Sequence, residues 1–451
     1  MKEHFQAAGD AMMKGFARFS TFKIVVALKD AFILTLPVTL LGSIFLLVAN
    51  IPITGYADFM SKYLTENWDI GLNQAYSATF NVLAIVVAVG VGYSYVHNEK
   101  LDGISGAILA MVSFFCVSPS SFGIDHSTVD ALPKGTTAEV ANVIPLTWVG
   151  GNGIISAVIC GLFSSWVFTK CIKKNVRIKM PDSVPEGVSN AFSALIPGFI
   201  VLCVSALAYQ LCEIFGGVSL TEMIFKVIQA PLQGLTDNLA GAIIFAILPP
   251  LMFWCGIHGP NVMQGILLPL ATANSLANQQ LIDAGTALTR ENGAHIITPQ
   301  LFDLFNKFGG CGLTLGLLIA VFIVGRSQQL REVSKMSFVP GLFNINEPVI
   351  FGLPICFNPY FLAPFILSPL AAIVIMYFVQ ITGFIAPFGA VQVPWTTPPI
   401  ISGFIVAGWK GSLLQIIITA VSTLIYLPFV KMQDRIYVKE EAEMAAAEAE
   451  A

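Results

Sequence analysis

A single carboxylate, Glu347, lies in the apolar segment 341–354, which also contains two glycines and two prolines. Ionisable side chains in an apolar membrane environment are costly, and they usually face a substrate pathway or a partner. The glycines and prolines interrupt any continuous helix, so the backbone N–H and C=O groups must find partners other than lipid. We therefore predict that this segment is broken backbone lining a cavity, with Glu347 as a functional group.

His258 is a second polar group that lies beside glycine and proline in apolar sequence, within the segment 253–261. The remaining histidines lie in polar or terminal stretches, where solvated side chains are expected: His4, His97, His126 and His295. Two interpretations remain open for His258. It contacts a ligand, or it forms a hydrogen bond that caps a helix end.

The other candidate functional residues are aromatic and amide side chains near glycine or proline, namely Trp148, Asn152 and Trp395. Sugars are held by hydrogen bonds from carboxylate, imidazole and amide groups, and aromatic side chains pack against the apolar face of the ring. Trp395 could instead belong to the aromatic belt at a membrane interface, and Asn152 could cap a helix. Together with Glu347 and His258, these residues are typical of a sugar-binding site.

The eight cysteines lie almost entirely in apolar stretches and show no CxxC spacing. This pattern is typical of small buried hydrophobic residues rather than of metal ligands. We therefore expect neither a metal site nor a cofactor.

Composition shows which elements must position these groups. The chain has 451 residues, of which 55% are hydrophobic and 11% charged, with a mean hydropathy of +0.77. These values predict an all-α polytopic membrane protein, because a spanning helix needs about 20 apolar residues. About ten spans are expected, near 31–50, 78–96, 103–120, 152–169, 191–211, 238–256, 311–325, 359–380, 412–429 and, more weakly, 386–408.

Lysine and arginine residues set the predicted orientation. The segment before the first span and the loop 170–179 after the fourth are basic, whereas 51–77 and 121–147 hold one basic residue each. Positively charged loops favour the cytoplasmic side, so both termini are predicted to lie inside the cell. The basic residues at 326–335 do not fit the later count of spans. The topology between 212 and 335 therefore stays open, with 219–235 read as an interfacial amphipathic helix.

The two halves of the chain differ in how regular their apolar spans are. Residues 1–211 contain ordinary spans and are predicted to form a scaffold or dimerisation half, followed by an amphipathic connection over 212–237. Residues 238–430 contain short spans broken by glycine and proline, which is typical of a substrate-binding transport half. An acidic cytoplasmic tail is predicted for 431–451. No segment is large enough for an ATPase domain, and carboxylates in the spans are scarce apart from Glu347, which disfavours coupling to an ion gradient.

Several segments, in the order in which they occur along the chain, resemble motifs of a known family. They are 36–43, 179–185, 192–198, the glycine-flanked His258 segment 256–259, the glycine-rich 309–316 and Asn346-Glu347-Pro348. The chain resembles, over nearly its whole length, the membrane IIC component (permease) of the bacterial phosphoenolpyruvate-dependent sugar phosphotransferase system, in the lactose/cellobiose/diacetylchitobiose family.

The resemblance implies a homodimeric carrier in the plasma membrane, with re-entrant hairpins near 258–275 and 338–357. A separate cytoplasmic IIB protein, itself served by IIA, would phosphorylate the sugar at a 6-hydroxyl from a phosphocysteine. The chain would then be the transport component of a phosphotransferase, and none of its own cysteines would be catalytic. The basic segments 170–179 and 326–335 would offer a surface for IIB, although positive-inside topology alone also accounts for them. No nucleic-acid partner is expected.

The resemblance also assigns site residues. Glu347 and His258 would lie near the hydroxyl that accepts phosphate, in catalytic and sugar-binding roles, and Trp395 would pack on a sugar ring. Asn152 and Asn346 are further sugar-binding candidates. Glu347 would orient the hydroxyl or act as its general base. The leading substrate is cellobiose, followed by lactose and diacetylchitobiose.

Two other functions stay open at this point. One is an ion-coupled secondary sugar transporter, and the other is a membrane receptor or docking protein that does not transport.

Overall fold

The computed structural model describes Arg18 and residues 21–49, 55–125, 137–181, 183–353 and 355–450. These residues form two compact units. The first contains Lys23–Gly234 and Leu268–Ala277, and the second contains Leu235–Leu267 and the chain from Asn278 onward.

The first unit is mainly helical. Its described helices are α1 (Lys23–Ala49), α2 (Tyr56–Tyr63), α3 (Ile70–Phe80), α4 (Leu83–Asn98), α5 (Gly103–Val117), α6 (Leu146–Val149), α7 (Ile154–Lys173), α8 (Glu186–Gly216), α9 (Leu220–Ile224) and α10 (Ala230–Thr236). A 3-10 turn at Gly151–Gly153 and a π turn at Phe225–Gln229 connect some of them. Two antiparallel strands, β1 (Ser121–Asp125) and β2 (Thr137–Ala141), pair Ser121 with Ala141.

Small residues allow the helices of this unit to pack closely. A Cβ added at Gly92 of α4 would lie 2.6 Å from the carbonyl oxygen of Gly106 in α5, and one added at Gly106 would lie 2.7 Å from the carbonyl oxygen of Gly92. Such close backbone approach is typical of helix pairs in membranes, where packing and not the hydrophobic effect drives association.

Three helix ends of the first unit meet at Glu99. Its carboxylate pairs with Lys23 at the start of α1 and with Lys173 at the end of α7. Hydrogen bonds from Lys173 and Lys23 hold the pKa of Glu99 below its usual range. The two basic segments of the first half therefore lie on the same side of the unit, as the predicted topology requires. Their cytoplasmic orientation stays a prediction.

The second unit is also helical. Its helices are α11 (Leu239–Trp254), α12 (Gly259–Asp283, of which 268–277 belong to the first unit), α13 (Pro299–Phe305), α14 (Thr314–Val324), α15 (Gln328–Leu342), α16 (Glu347–Gly352), α17 (Pro359–Ile381) and α18 (Ile401–Glu450). Side-chain caps begin several of them, because Asn238, Ser327 and Asn358 accept hydrogen bonds from first-turn N–H groups of α11, α15 and α17. The backbone of α18 leaves helical geometry at Ala407 and Gly408.

The prediction of an all-α polytopic membrane protein is confirmed. Six helices of the described residues are long and apolar enough to span a bilayer, or seven if Leu220–Thr236 and Leu239–Trp254 form one broken span. Two shorter apolar helices, Gly103–Val117 and Thr314–Val324, add to these. The weakest predicted span, 386–408, is wrong over its first part, because residues 382–400 are irregular. Four prolines in that stretch lack the N–H that a helix requires.

A buried ionic cluster holds the long connection between α12 and α13. Asp237 is 3% exposed, and its Oδ1 accepts hydrogen bonds from the backbone N–H groups of Ile296 and Ile297, both at 2.9 Å. Its Oδ2 contacts His295 Nδ1 at 3.0 Å and pairs with Arg290. The expectation of a solvated His295 is therefore wrong, whereas His97 is exposed as expected; His4 and His126 lie outside the described residues.

The expectation that Glu347 is almost the only buried carboxylate is also wrong. Asp237 and Asp434 are 3% and 5% exposed, while the side chain of Glu347 is 49% exposed. Both buried aspartates accept two backbone N–H bonds. Distant parts of the chain supply these donors, which local sequence does not reveal.

We expect Asp237→Asn to destabilise the fold by about 3 kcal/mol, because it places an amide N–H₂ among donors and leaves Arg290 without its carboxylate. A lower thermal unfolding temperature of the purified protein would show this. Asp58→Asn, at an exposed position of α2, is the control. An unfolding temperature for Asp237→Asn equal to that of the control would contradict the stabilising role of the cluster.

Candidate functional site

The sequence-predicted residues of the second half meet at one pocket of the second unit, with a volume of about 90 Å³. Sites for small molecules are typically larger, roughly 300–1,000 Å³, so this space suits one end of a sugar rather than a whole disaccharide. The lining residues come from five chain segments: Phe253, His258, Pro260, Asn261, Gln264, Asp303, Lys307, Gly310, Cys311, Asn344, Asn346, Glu347 and Trp395.

A glycine-rich turn between α13 and α14 forms one wall. Gly310 and Gly312 have φ angles of +99° and +83°, a region that side chains rarely adopt. A Cβ at Gly310 would lie 2.4 Å from Cγ of Asn346, and a Cβ at Gly312 would lie 2.2 Å from the ring of Phe365. Tyr426, which is fully buried, donates its hydroxyl to the Gly312 carbonyl at 2.7 Å. Only glycine allows the turn to approach its neighbours so closely.

Asn344 joins three segments of the pocket. Its Oδ1 accepts a hydrogen bond from the N–H of Gly309 at 3.0 Å. Its Nδ2 donates to the carbonyls of Trp395 and Thr397, at 2.6 and 3.2 Å. The residue itself is at φ +63°, a conformation that asparagine tolerates better than most residues. Asn344 thus fixes the glycine-rich turn and the Trp395 loop relative to the Glu347 segment.

His258 caps a helix end, which is one of its two predicted roles. Its second ring nitrogen, Nε2, remains for the other role, which is contact with a ligand. His258 is the N-cap of α12, where its Nδ1 accepts a hydrogen bond from the N–H of Asn261 at 3.3 Å. A ring nitrogen that accepts a hydrogen bond carries no proton, so this geometry places the proton of the neutral ring on Nε2. The ring packs against Phe253, with centroids 4.7 Å apart.

Glu347 begins α16 and faces His258. Its Oε1 lies 3.7 Å from Nε2 of His258, which is too long for a direct hydrogen bond. The side chains are 49% and 40% exposed, respectively. A donor and an acceptor at this separation leave both groups available to a third polar group, such as a hydroxyl.

The other predicted residues occupy different positions. Trp395 lines the pocket and is 46% exposed. Asn346 also lines it, but its Nδ2 donates to the Cys311 carbonyl at 2.8 Å, so the side chain also holds the glycine-rich turn. Asn152 lies in the first unit, in the 3-10 turn Gly151–Gly153, and is not among the described residues that line this pocket. Trp148 packs edge-on against Phe225 in the same unit.

Sequence reasoning missed an ion pair in the pocket. Asp303 of α13 and Lys307, four residues later, form a salt bridge and line the same space as Glu347. Both residues lie in a polar stretch of sequence between two predicted spans. The signal that could have found them is the i,i+4 pairing of opposite charges directly before the glycine-rich turn.

We expect His258→Ala and His258→Asn to separate the two roles of the imidazole. Both variants remove the Nε2 donor, so sugar affinity should fall about tenfold. Asparagine is a good N-cap, so only His258→Ala should lower stability as well, by about 1 kcal/mol. Calorimetric sugar titration and thermal unfolding measure the two effects. A His258→Asn variant with the parent's affinity would reject the binding role.

Comparisons with known proteins agree with this fold. Residues 29–369 match the family model described as Phosphotransferase system, EIIC. The chain is 36% identical over 422 residues to the lichenan permease IIC component of Bacillus subtilis (strain 168), covering 93% of this chain and 91% of that protein. It is 35% identical over 436 residues to the cellobiose-specific EIIC component of Geobacillus stearothermophilus, covering 96% and 94%.

A solved structure is similar over the same extent. The transporter ChbC, the IIC component from the N,N'-diacetylchitobiose-specific phosphotransferase system, superposes with a TM-score of 0.89 at 34% identity, covering 95% of this chain and 98% of that one. The fold, the family model and the relatives lead to one assignment, which the resemblance of the sequence motifs had indicated. The chain belongs to the EIIC family of the phosphotransferase system and is a membrane-embedded sugar permease.

Proposed function

We propose that this permease moves a β-linked disaccharide across the plasma membrane and presents it for phosphorylation at a 6-hydroxyl by a separate IIB protein. Cellobiose is the substrate we expect first, with lactose and diacetylchitobiose as alternatives. The names of the relatives support the substrate class, since they include lichenan- and cellobiose-specific components.

The facing pair of Glu347 and His258 carries the proposal. A sugar hydroxyl between them can accept a hydrogen bond from Nε2–H of His258 and donate one to Oε1 of Glu347. Both bonds orient the oxygen lone pair toward an incoming phosphoryl group. The hydroxyl oxygen then bonds to phosphorus, the bond between phosphorus and the IIB cysteine sulfur breaks, and the sulfur leaves as a thiolate. The hydroxyl proton passes to Glu347, or to water if Glu347 only orients the oxygen.

Lys307 supplies the charge that this step needs. A transferring phosphoryl group spreads negative charge over three oxygens, and catalysis depends mainly on positioning and electrostatic stabilisation. Glu347 alone would repel that charge. The ammonium group of Lys307, which pairs with Asp303 in the same pocket, keeps further N–H donors for the phosphoryl oxygens.

In this proposal, the remaining candidate site residues bind the sugar. Trp395 presents a half-exposed indole to the pocket and packs on a sugar ring. Asn346 positions the glycine-rich turn and offers its Oδ1 to the sugar. Asn152, in the 3-10 turn of the first unit, stays a sugar-binding candidate on the resemblance alone. The carrier works as a homodimer with cytoplasmic termini, and the basic segment 170–179 receives IIB.

The buried aspartates do not favour the ion-coupled alternative. Each accepts two backbone N–H bonds, and Asp237 also pairs with Arg290 and His295. A coupling ion would have to displace these donors. The geometry is that of structural carboxylates rather than of an ion relay.

Uptake by membrane vesicles tests the proposal. Vesicles containing the permease, supplied with phosphorylated IIB on the cytoplasmic face, should accumulate sugar only as sugar 6-phosphate. Ionophores that collapse proton and sodium gradients should leave the rate unchanged. Accumulation of free sugar that stops with the ionophores would overturn the proposal in favour of ion coupling.

Binding to the purified chain tests the substrate. We expect cellobiose to bind at least about tenfold more tightly than lactose, because an inverted hydroxyl leaves buried polar groups of the site unpaired. Calorimetric titration with the three sugars measures the order. Tighter binding of lactose or diacetylchitobiose would replace cellobiose as the substrate.

A further inference from the structure

An apolar groove of about 580 Å³ runs along the second unit between α14, α15 and α18. Its walls include Ile319 and Ile323 of α14, Phe338 and Leu342 of α15, and Ala420 and Leu424 of α18. The volume lies within the range of small-molecule sites, roughly 300–1,000 Å³. It is separate from the pocket that holds Glu347, which has none of these lining residues.

The groove offers almost no polar group to an occupant. The threonines in its wall, Thr419 and Thr423, donate their hydroxyls to carbonyls one turn earlier in α18, both at 2.8 Å. Their methyl groups are left to face the space. An occupant must therefore be a hydrocarbon where it lies in the groove.

Basic residues follow the groove at one end of all three helices. Arg326 lies two residues after α14, Arg331 lies in the first turns of α15, and Lys431 lies on α18. The Asp434 carboxylate of α18 accepts hydrogen bonds from the N–H groups of Arg326 and Ser327, at 2.7 and 2.8 Å. Lys431 lies about one helical turn before Asp434, and Arg331 lies about one turn after Ser327.

Helical periodicity places two of these residues on the groove side. Arg331 precedes Phe338 by seven residues, and Lys431 follows Leu424 by seven, so each shares a helix face with a lining residue. Arg326, Arg331 and Lys431 are exposed. In the part of the chain that the structure describes, none of the three forms an ion pair with a carboxylate.

The carboxylates nearby are already engaged. Glu332 pairs with Lys335 at 2.7 Å. Asp434 and Glu441 accept backbone N–H bonds at the start of α15, Glu441 from Gln328 at 3.2 Å and Gln329 at 3.0 Å. None of these carboxylates forms an ion pair with Arg326, Arg331 or Lys431, so the three side chains keep their donors for an anion at the end of the groove, where Asp434, Glu440 and Glu441 retain their negative charge.

We propose that this groove binds an acyl chain of an anionic phospholipid, whose headgroup phosphate is held by Arg326, Arg331 and Lys431. Two of the three helices that form the groove, α14 and α18, are apolar helices of a membrane-embedded permease, so lipid is the hydrocarbon that surrounds them. Basic residues at the edge of a membrane helix bundle attract anionic headgroups. A helix from a second copy would fill the apolar space but would leave the three cations unmatched, and the choline of a zwitterionic lipid would be repelled.

Native mass spectrometry of the delipidated full-length protein tests the proposal. The probes are phosphatidylglycerol and phosphatidylcholine with identical acyl chains. Ala420→Trp fills the groove from an exposed position of α18. Ile417→Trp is the control, because Ile417 is exposed on the same helix but does not line the groove. A triple variant, Arg326→Gln with Arg331→Gln and Lys431→Gln, removes the cations at exposed positions where folding is little affected.

The parent should retain phosphatidylglycerol in preference to phosphatidylcholine. Ala420→Trp should lower phosphatidylglycerol affinity about tenfold, and Ile417→Trp should leave it unchanged. The triple variant should lower it by at least about tenfold and leave phosphatidylcholine affinity unaltered. Equal retention of the two lipids by the parent, or unchanged phosphatidylglycerol retention in both the Ala420→Trp and triple variants, would overturn the proposal. Loss of a dimer without loss of lipid in Ala420→Trp would assign the groove to a second copy instead.

Discussion

Glu347→Gln is expected to slow sugar-phosphate formation by about 10²–10⁴-fold while changing sugar affinity only a few-fold. Glutamine has nearly the shape of glutamate and can still accept a hydrogen bond from the sugar hydroxyl. Glutamine cannot take up the hydroxyl proton. Its N–H₂ group also competes with the sugar hydroxyl for the space between Oε1 and the imidazole of His258. The loss should therefore appear in the rate of phosphorylation rather than in binding.

Vesicles supplied with phosphorylated IIB measure this rate, and calorimetry measures the affinity. Glu291→Gln is the matched control, because Glu291 is exposed in the connection before α13 and does not line the pocket. Sugar-phosphate formation by Glu347→Gln at the parent's rate would exclude Glu347 from the chemistry. A loss of only two- to threefold would assign it to orientation of the hydroxyl alone.

Asn344→Gly is expected to weaken sugar binding about 30-fold, because it removes three hydrogen bonds worth about 1 kcal/mol each, with incomplete additivity. Those bonds hold the N–H of Gly309 and the carbonyls of Trp395 and Thr397. Glycine keeps the left-handed backbone conformation at φ +63° without strain, so the variant isolates the side chain. Trp395 should become more mobile, which its fluorescence anisotropy would report in a protein where the other tryptophans are replaced.

The control for Asn344→Gly is Asn142→Gly, because Asn142 is an exposed asparagine at φ +61° in the first unit. The control should bind sugar like the parent. Equal affinity of the two glycine variants would show that the pocket does not depend on Asn344.

Local sequence patterns indicated Glu347 and His258 as candidate functional groups but did not indicate the residues that position them. Glu347 and His258 stand out because a charged or titratable residue next to glycine and proline is rare in apolar sequence. The structure places Oε1 of Glu347 and Nε2 of His258 3.7 Å apart. Asn344 lies three residues from Glu347, and Lys307 lies forty residues from it. The partners of both side chains depend on how the glycine-rich turn folds. No local pattern reveals that conformation.

The same reason explains the errors about carboxylates and spans. Asp237 is buried because the N–H groups of Ile296 and Ile297, nearly sixty residues away, satisfy it. Hydropathy alone suggested a helix over 386–408, but the prolines make its first part an irregular loop that brings Trp395 to the pocket. Average hydropathy carries no information on whether a residue has a backbone N–H donor, which proline lacks. The apolar character was predicted correctly, and the backbone conformation was not.

The central claim is that the sugar 6-hydroxyl lies between Glu347 and His258. Calorimetric binding of cellobiose and of two analogues, each lacking one of its 6-hydroxyls, tests this claim in the parent and in Glu347→Ala. We predict that one analogue binds the parent about tenfold more weakly than cellobiose and that this loss is smaller in Glu347→Ala, where only the hydrogen bond from His258 to the hydroxyl remains. The same loss of affinity in both proteins, or no loss with either analogue, would contradict the account.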